Sequence, residues 1–311
     1  MASSTGSLED LRNVYNSMTD DNLREALAIP GMEALLNKMR DATHTTVQIS
    51  HVQEWQIKDV FGLVVPLDAT WDPLHDLNVP DIDELTPGYR EMKERFLKYF
   101  VIEREPITRT LIDLTTLEAL HHMPADEEGS NPEPITFFGE VALSYTSQKK
   151  RLSFNGAGDY ILGYGEAGKN KIIENLSLVG EAKAFDRKQI STQSMLQALT
   201  YMAIIHEKRK EAGKVSAQVM GFATNWHWWI FLRIDHNGQV SFSEDYNYRS
   251  VQGEVAVVRI LSGMLLAARQ QSPSTAPSLS LTDISSQKEV PDHQATMTMH
   301  EFAPEAVREY S

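Results

Sequence analysis

The segment Leu176-Ser177-Leu178-Val179-Gly180-Glu181-Ala182-Lys183-Ala184-Phe185 constrains the fold more than any other. Its apolar, period-two character reads as a strand, and residues two apart in a strand share a face. Glu181 and Lys183 therefore point one way. Leu176, Leu178, Ala182 and Ala184 point the other way, toward a packed helix. Burying charge is costly unless it is paired. A strand that carries two charges late in an apolar run therefore predicts a covered sheet with a polar site at one end.

The neighbouring segments supply the rest of that sheet. Periodicity is helical at Tyr89–Phe100 and at Glu105–His121, where Leu111, Ile112, Leu114, Leu117 and Leu120 form an apolar stripe. From Ile135 it turns β-like, over Ile135–Tyr145, Arg151–Phe154, Asp159–Tyr164 and Leu176–Phe185. A long helix is expected over Ile190–Glu211, stopped by Gly213. Strands at Val215–Thr224 and Trp226–Asp235 follow, with Ser241–Tyr248 as a further candidate and a helix over Val251–Arg269. The order helix, three strands, helix, two strands predicts an α/β fold, a central mixed sheet flanked by helices rather than a doubly wound array.

Residues 1–104 read as a helical N-terminal region followed by an irregular acidic connection that carries Pro66, Pro73, Pro80 and Pro87. Residues 105–269 form the α/β domain. Residues 270–311 are rich in Ser, Thr and Pro and are expected to be largely disordered, with a short helix near 304–310. No repeat period is visible.

The chain has no cysteine, which excludes disulfides, zinc–thiolate sites and cysteine nucleophiles. The first ten residues lack the basic and apolar regions of a secretory signal, and no apolar run reaches the length of a membrane span. These features set the expectation of an intracellular protein without membrane contact, with nucleus and cytoplasm undistinguished. The net charge of −14 argues against a nucleic-acid partner, since duplex binding rests on phosphate neutralisation. That average conceals a split. Residues 146–216 hold twelve Lys/Arg against seven Asp/Glu, a local excess of +5, leaving −19 on the remainder.

Within this basic stretch the polar residues have a definable chemistry. Asp159 opens one strand and Glu181 and Lys183 close the next. If those strands are neighbours, two carboxylates and an ammonium converge. Two carboxylates can hold Mg²⁺ while leaving it several waters. The ion lowers the pKa of a bound water, and a lysine can orient that water and offset developing charge. On the following helix Gln197 and Tyr201 are four apart and share a ridge.

Asp159, then Glu181-Ala182-Lys183, then Gln197-x-x-x-Tyr201 resembles the PD-(D/E)XK nuclease superfamily in its RecB-like form, with a restriction-endonuclease-like fold. Val219–Asn225 and Trp228–Phe231 are similar to the strand–turn–strand that follows this motif, so the likeness spans roughly residues 105–240. The proline that often precedes the aspartate is absent; Gly158 stands there. The resemblance implies a Mg²⁺-dependent hydrolase of nucleic-acid phosphodiesters, with Mn²⁺ as a substitute and DNA ahead of RNA. It implies Asp159 and Glu181 as metal ligands, joined by Glu105 from the first core helix. Lys183 would position the attacking water, and Gln197 and Tyr201 would orient the phosphate. An acid-x-Lys tripeptide alone says little, and Glu91-Met92-Lys93 is another, in a helical pattern with no strand before it.

Two other readings stay open: the same fold kept as a binding module for a protein or nucleic acid without turnover, and an acidic helical scaffold. Homo-oligomerisation is also open. Gly163-Tyr164-Gly165-Glu166-Ala167-Gly168 matches a dinucleotide fingerprint, but a strand rather than a helix follows, so it reads as a hairpin turn. Trp226-His227-Trp228-Trp229 reads as a buried strand with a structural histidine rather than a base-stacking platform. Glu207-Lys208-Arg209-Lys210 ends a helix, where cations suit the dipole and could also meet a DNA backbone. His121-His122 lacks metal-ligand spacing, and no Gly-x-Ser-x-Gly elbow is present.

Overall fold

The computed structural model describes residues 45–64, 70–124, 135–147, 149–164, 173–184 and 190–270. In chain order the elements are β1 (Thr45–Gln48), α1 (Glu54–Phe61), the single turn α2 (Pro73–Asp76), α3 (Pro87–Tyr99), α4 (Glu105–His121), β2 (Ile135–Ser147), β3 (Leu152–Tyr164), β4 (Leu176–Ala182), α5 (Thr192–Glu211), β5 (Val219–Thr224), β6 (Trp228–Ile234), β7 (Val240–Phe242), β8 (Tyr246–Asn247) and α6 (Val251–Gln270). The fold is α/β, with the described strands in one mixed sheet of order β1-β3-β4-β5-β6-β7; β2 pairs with β3, and β8 with β6.

Helices cover both faces of the sheet. On one side Leu111 and Ile112 of α4 and Val258, Leu261 and Leu265 of α6 pack with Leu162, Leu178, Met220, Phe222 and Phe231. On the other, Leu199, Met202 and Ile205 of α5 and Ile57 and Phe61 of α1 pack with Ile161, Val179, Ala223 and Leu232. This explains why every residue of β4 and β5 is buried: strands covered on both faces read as continuous apolar runs. β4 and β5 are parallel and joined through α5, while β3–β4 and β5–β6 are antiparallel.

The helix signals are realised locally. Thr86 caps α3 through its hydroxyl to Tyr89 N–H (3.2 Å), with Pro87 in the first turn. Thr86 also donates from its N–H and hydroxyl to buried Glu118 (2.6 and 2.7 Å), tying the start of α3 to α4. Ser191 caps α5, and Gly213 follows its end at φ +66°, as a helix stop requires.

Four expectations change. Thr45–Gln48, inside the stretch read as helical, is a strand parallel to β3; its Thr-Thr-Val composition suits a pleated edge better than a helix. Arg151–Phe154 and Asp159–Tyr164 are not separate strands but parts of β3, which runs through Asn155-Gly156-Ala157-Gly158 without a turn. The glycines there leave room for α5, not for a reversal. The alternation in β4 is offset: Leu176 lies on the α5 side while Leu178 and Ala182 face α4 and α6, because the β3–β4 register shifts between Leu162 and Gly163. Finally, Val251–Gln270 is by length and composition apolar enough to cross a membrane, against the expectation that no run would be. Ten of its residues are buried, and Ser262 donates to Ala119 O of α4 (2.8 Å), as befits a core helix. The helical patterns before residue 45, the turn at 165–172 and the Ser/Thr/Pro-rich tail from 271 lie outside the described residues.

Arg209 is turned inward rather than out toward a ligand. It is 1% exposed and donates to Ser216 O from Nε (3.0 Å) and Nη2 (2.7 Å), and from Nη1 to Glu174 O (3.2 Å) and Leu176 O (3.1 Å). Its neighbours Lys208 and Lys210 pair with Glu211 and Glu207. Substituting Arg209→Met strands three carbonyls, one buried and two part-buried, and is expected to cost about 3 kcal/mol in urea unfolding, whereas Lys210→Met should stay within about 0.5 kcal/mol.

Candidate functional site

β3 is a 13-residue strand whose one edge is shared. Residues Leu152–Asn155 pair with β1, and Tyr160–Gly163 pair with β4. Between them, Gly156–Asp159 face the point where β1 and β4 part. Buried backbone groups need partners, and side chains supply them here. Tyr201, 1% exposed, donates its hydroxyl to Ala157 O (2.8 Å). Asp159 accepts the Ala182 N–H on Oδ2 (2.9 Å). A Cβ on Gly156 would lie 2.6 Å from Tyr201 Oη and 3.0 Å from Ile49 Cβ, so only glycine fits there.

One step past the last β3–β4 pair, Tyr160↔Gly180, Asp159 stands opposite Glu181. Glu181 is 1% exposed, on the α5 side of the sheet with Val179. Its Oε1 accepts from Lys183 Nζ at 2.5 Å, while Oε2 is buried with no partner among the described residues. Burial first, and then the charge of Asp159, push the Glu181 carboxyl up to about 7 against the pull of Lys183. Burial likewise raises Asp159, opposed by the Ala182 N–H, Arg109 and Lys183. Lys183 continues the β4–β5 ladder, its N–H donating to Thr224 O (2.9 Å).

Arg109 of α4 was not singled out by sequence. Its Nη2 donates to Asp159 Oδ1 (2.5 Å) and to Glu105 Oε1 (2.8 Å), and its Nη1 to Glu140 Oε1 (2.9 Å). Glu140 has φ +50° and sits opposite Asp159, between the pairs Gly139↔Tyr160 and Val141↔Gly158, with the register unchanged across it. Tyr160 donates to Arg109 O (3.1 Å), fixing this turn of α4 against β3. The i,i+4 spacing of Glu105 and Arg109 was a readable signal. No sequence rule places a glutamate at a left-handed φ within a strand.

A cleft of about 340 Å³ opens beside Lys183, lined also by Glu105, Ser191, Gln193, Ser194 and Asn225. The start of α5 thus borders the site. Gln197 and Tyr201, expected to orient a phosphate, are both buried, and the Tyr201 hydroxyl is committed to Ala157. Their role is to brace the fork: Gln197 hydrogen-bonds the same phenol, whose pKa burial raises to about 12. His227 is buried and held neutral, pushed down to about 4 by burial and Arg249, as a structural histidine would be.

The donor set meets the needs of a hard divalent ion in part. Two adjacent carboxylates, one with an unpartnered buried oxygen, fit an ion that keeps several waters. A third carboxylate does not join them. Among the described residues no group of three or more His, Asp or Glu is disposed to hold a metal. Glu105, expected as the third ligand, is paired with Arg109 instead.

Two measurements follow from this geometry. In the unfolded chain the Glu181 carboxyl titrates near its ordinary 4.5, in the fold near 7. Its contribution to stability is therefore fully present below pH 4.5 and lost as pH rises through 7. In metal-free protein Glu181→Gln should leave the unfolding free energy unchanged at pH 4. At pH 8 it should raise it by on the order of 2–3 kcal/mol, a net figure that already includes the pull of Lys183. Gly156→Ala should cost about 2 kcal/mol in wild type and clearly less in a Tyr201→Phe background, read as a double-mutant cycle in urea.

Compared with protein-family models and with curated proteins, the chain matches none; the reading of the site rests on its own residues and their geometry.

Proposed function

We propose that this chain is a divalent-metal-dependent nuclease of the PD-(D/E)XK type, acting on phosphodiester bonds of DNA ahead of RNA. The observation that carries the reading is Glu181: a buried carboxylate with one oxygen on Lys183 and the other unpartnered, in register beside Asp159. Buried charge of this kind costs stability and persists where a ligand or a reaction uses it.

Mg²⁺, with Mn²⁺ as substitute, would be held by Asp159 and Glu181, and when bound supplies charge neutralisation and a water of lowered pKa. Lys183, held on Glu181 Oε1, faces the cleft and is placed to orient a water for in-line attack on phosphorus. The water oxygen forms the new P–O bond as the bond to the leaving sugar oxygen breaks. Asn225 and the start of α5 line the side of the cleft where a phosphate would lie, and helix N-termini favour anions. Tyr201, hydrogen-bonded by Gln197, satisfies the Ala157 carbonyl of β3 at the fork.

A second reading, a binding module of this fold without turnover, is favoured by one feature: Arg109 already occupies Asp159 Oδ1, and no third carboxylate closes the site. Incubation with single- and double-stranded DNA and with RNA in Mn²⁺ or Mg²⁺ separates the two. For a nuclease, cleavage stops with chelator, and Lys183→Ala and Asp159→Asn each lower it by about 10³-fold. Equal traces for wild type and Lys183→Ala on every substrate exclude the catalytic reading, and nucleic-acid or protein binding that survives then supports the module.

A further inference from the structure

Asp159 has one oxygen for backbone and one for a cation. Oδ2 is committed to the Ala182 N–H, which holds the end of β4. Oδ1 is the oxygen a divalent ion would take, and Arg109 Nη2 sits on it. The four carboxylates that touch Arg109 or Lys183 are Glu105, Glu140, Asp159 and Glu181. Fully ionised, they leave an excess of two negative charges against these two cations, the charge of a single divalent ion.

Arg109 also has another seat. Its Nη1 is on Glu140, whose side chain is 72% exposed at the rim, and Nη2 is shared with Glu105. Glu140 stands opposite Asp159 in β2, at a positive φ that a glutamate adopts at a cost. Neither that conformation nor the three-way pairing is needed to close the sheet. Both keep a partner for the guanidinium when its bond to Asp159 is broken.

We infer that Arg109 is an exchangeable resident cation: it neutralises Asp159 in the metal-free protein, leaves Oδ1 when a divalent ion arrives, and is retained on Glu140 and Glu105. This rests on the metal-dependent reading above and adds a residue to it. Arg109 is a positioning residue for metal loading, not a ligand. Occupancy by the arginine keeps Asp159 from being an unpaired, half-buried charge, at the cost of weaker metal binding.

The test is a Mn²⁺ titration by calorimetry on the full chain, comparing wild type with Arg109→Gln and Arg109→Lys. Lysine keeps the charge but cannot span Asp159 and Glu140 together. Direct occupancy predicts that both variants bind Mn²⁺ tighter than wild type, Arg109→Gln by about tenfold or more. Tighter binding by Arg109→Gln alone, with Arg109→Lys equal to wild type, reduces the effect to through-space charge and overturns the exchange. Unchanged or weaker binding in both variants overturns it while leaving the metal site standing. No Mn²⁺ heat from any of the three overturns it together with the metal reading. Wild-type crystals soaked in Mn²⁺ give a check free of any folding defect in the variants. An ion on Asp159 with Arg109 swung to Glu140 supports the exchange, and an ion bound with Arg109 still on Oδ1 refutes it.

Discussion

The site depends on a shared strand edge. β3 offers one side to β2 over its whole length and divides the other between β1 and β4. A sheet that forks leaves backbone groups without ladder partners, and water or side chains must then satisfy them. Here the substitutes are polar side chains from α5 and from β3 itself. The Tyr201 phenol closes the Ala157 carbonyl and the Asp159 carboxylate closes the Ala182 amide. Remove the fork and neither side chain has a reason to be buried at that point. The general preference of α/β sheets for ligand crevices where neighbouring strands diverge has the same physical origin.

Electrostatics follow from that placement. Asp159 and Glu181 are brought opposite each other by the antiparallel register of β3 and β4, in a part of the sheet covered by α4 and α5. Burial raises both carboxyls and the charge of Asp159 adds to the effect on Glu181, which sits near the middle of the physiological range. Lys183 and Arg109 offset the charge from two directions, one along β4 and one from α4. The cations are not equivalent. Lys183 is bonded to a single carboxylate and borders the cleft, whereas Arg109 is bonded to three and lies between the strand and the rim. Under the proposed reading, a site poised in this way would take a cation without rebuilding its backbone.

Much of this was readable from the chain alone, for identifiable reasons. The charged pair on β4 was visible because its surroundings are apolar and its period is two. α5 was visible from its length, its start near Ser191 and its stop at Gly213. The flanked mixed sheet followed from the order of the elements. What was not readable depends on contacts remote in sequence. The glycines of β3 look like a turn until Tyr201, some 45 residues on, is placed over Gly156. Thr45–Gln48 becomes a strand only because β3 has a free edge there. Glu105 looked like a ligand because it opens the first core helix, yet its own helix carries the arginine that claims it one turn later.

Arg109 also bears on the contrast between an acidic chain and the nucleic-acid substrate proposed for it. With a net charge of −14, long-range attraction to DNA is not available, and affinity has to come from local cations and from the bound ion. Lys208 and Lys210, the most obvious basic pair, are tied to glutamates on their own helix, and Arg209 is buried. Arg109 and Lys183 remain as the cations built into the carboxylate site itself. Both are engaged by carboxylates in the metal-free protein, so the local field that a phosphate meets is set by what those carboxylates hold. On the proposed reading, a divalent ion that took over Asp159 and Glu181 would turn the same cluster from acidic to neutral and would couple substrate affinity to metal loading. In such an arrangement the acidic surface would serve selectivity: it would discourage nonspecific adsorption while leaving one place where a phosphodiester is attracted.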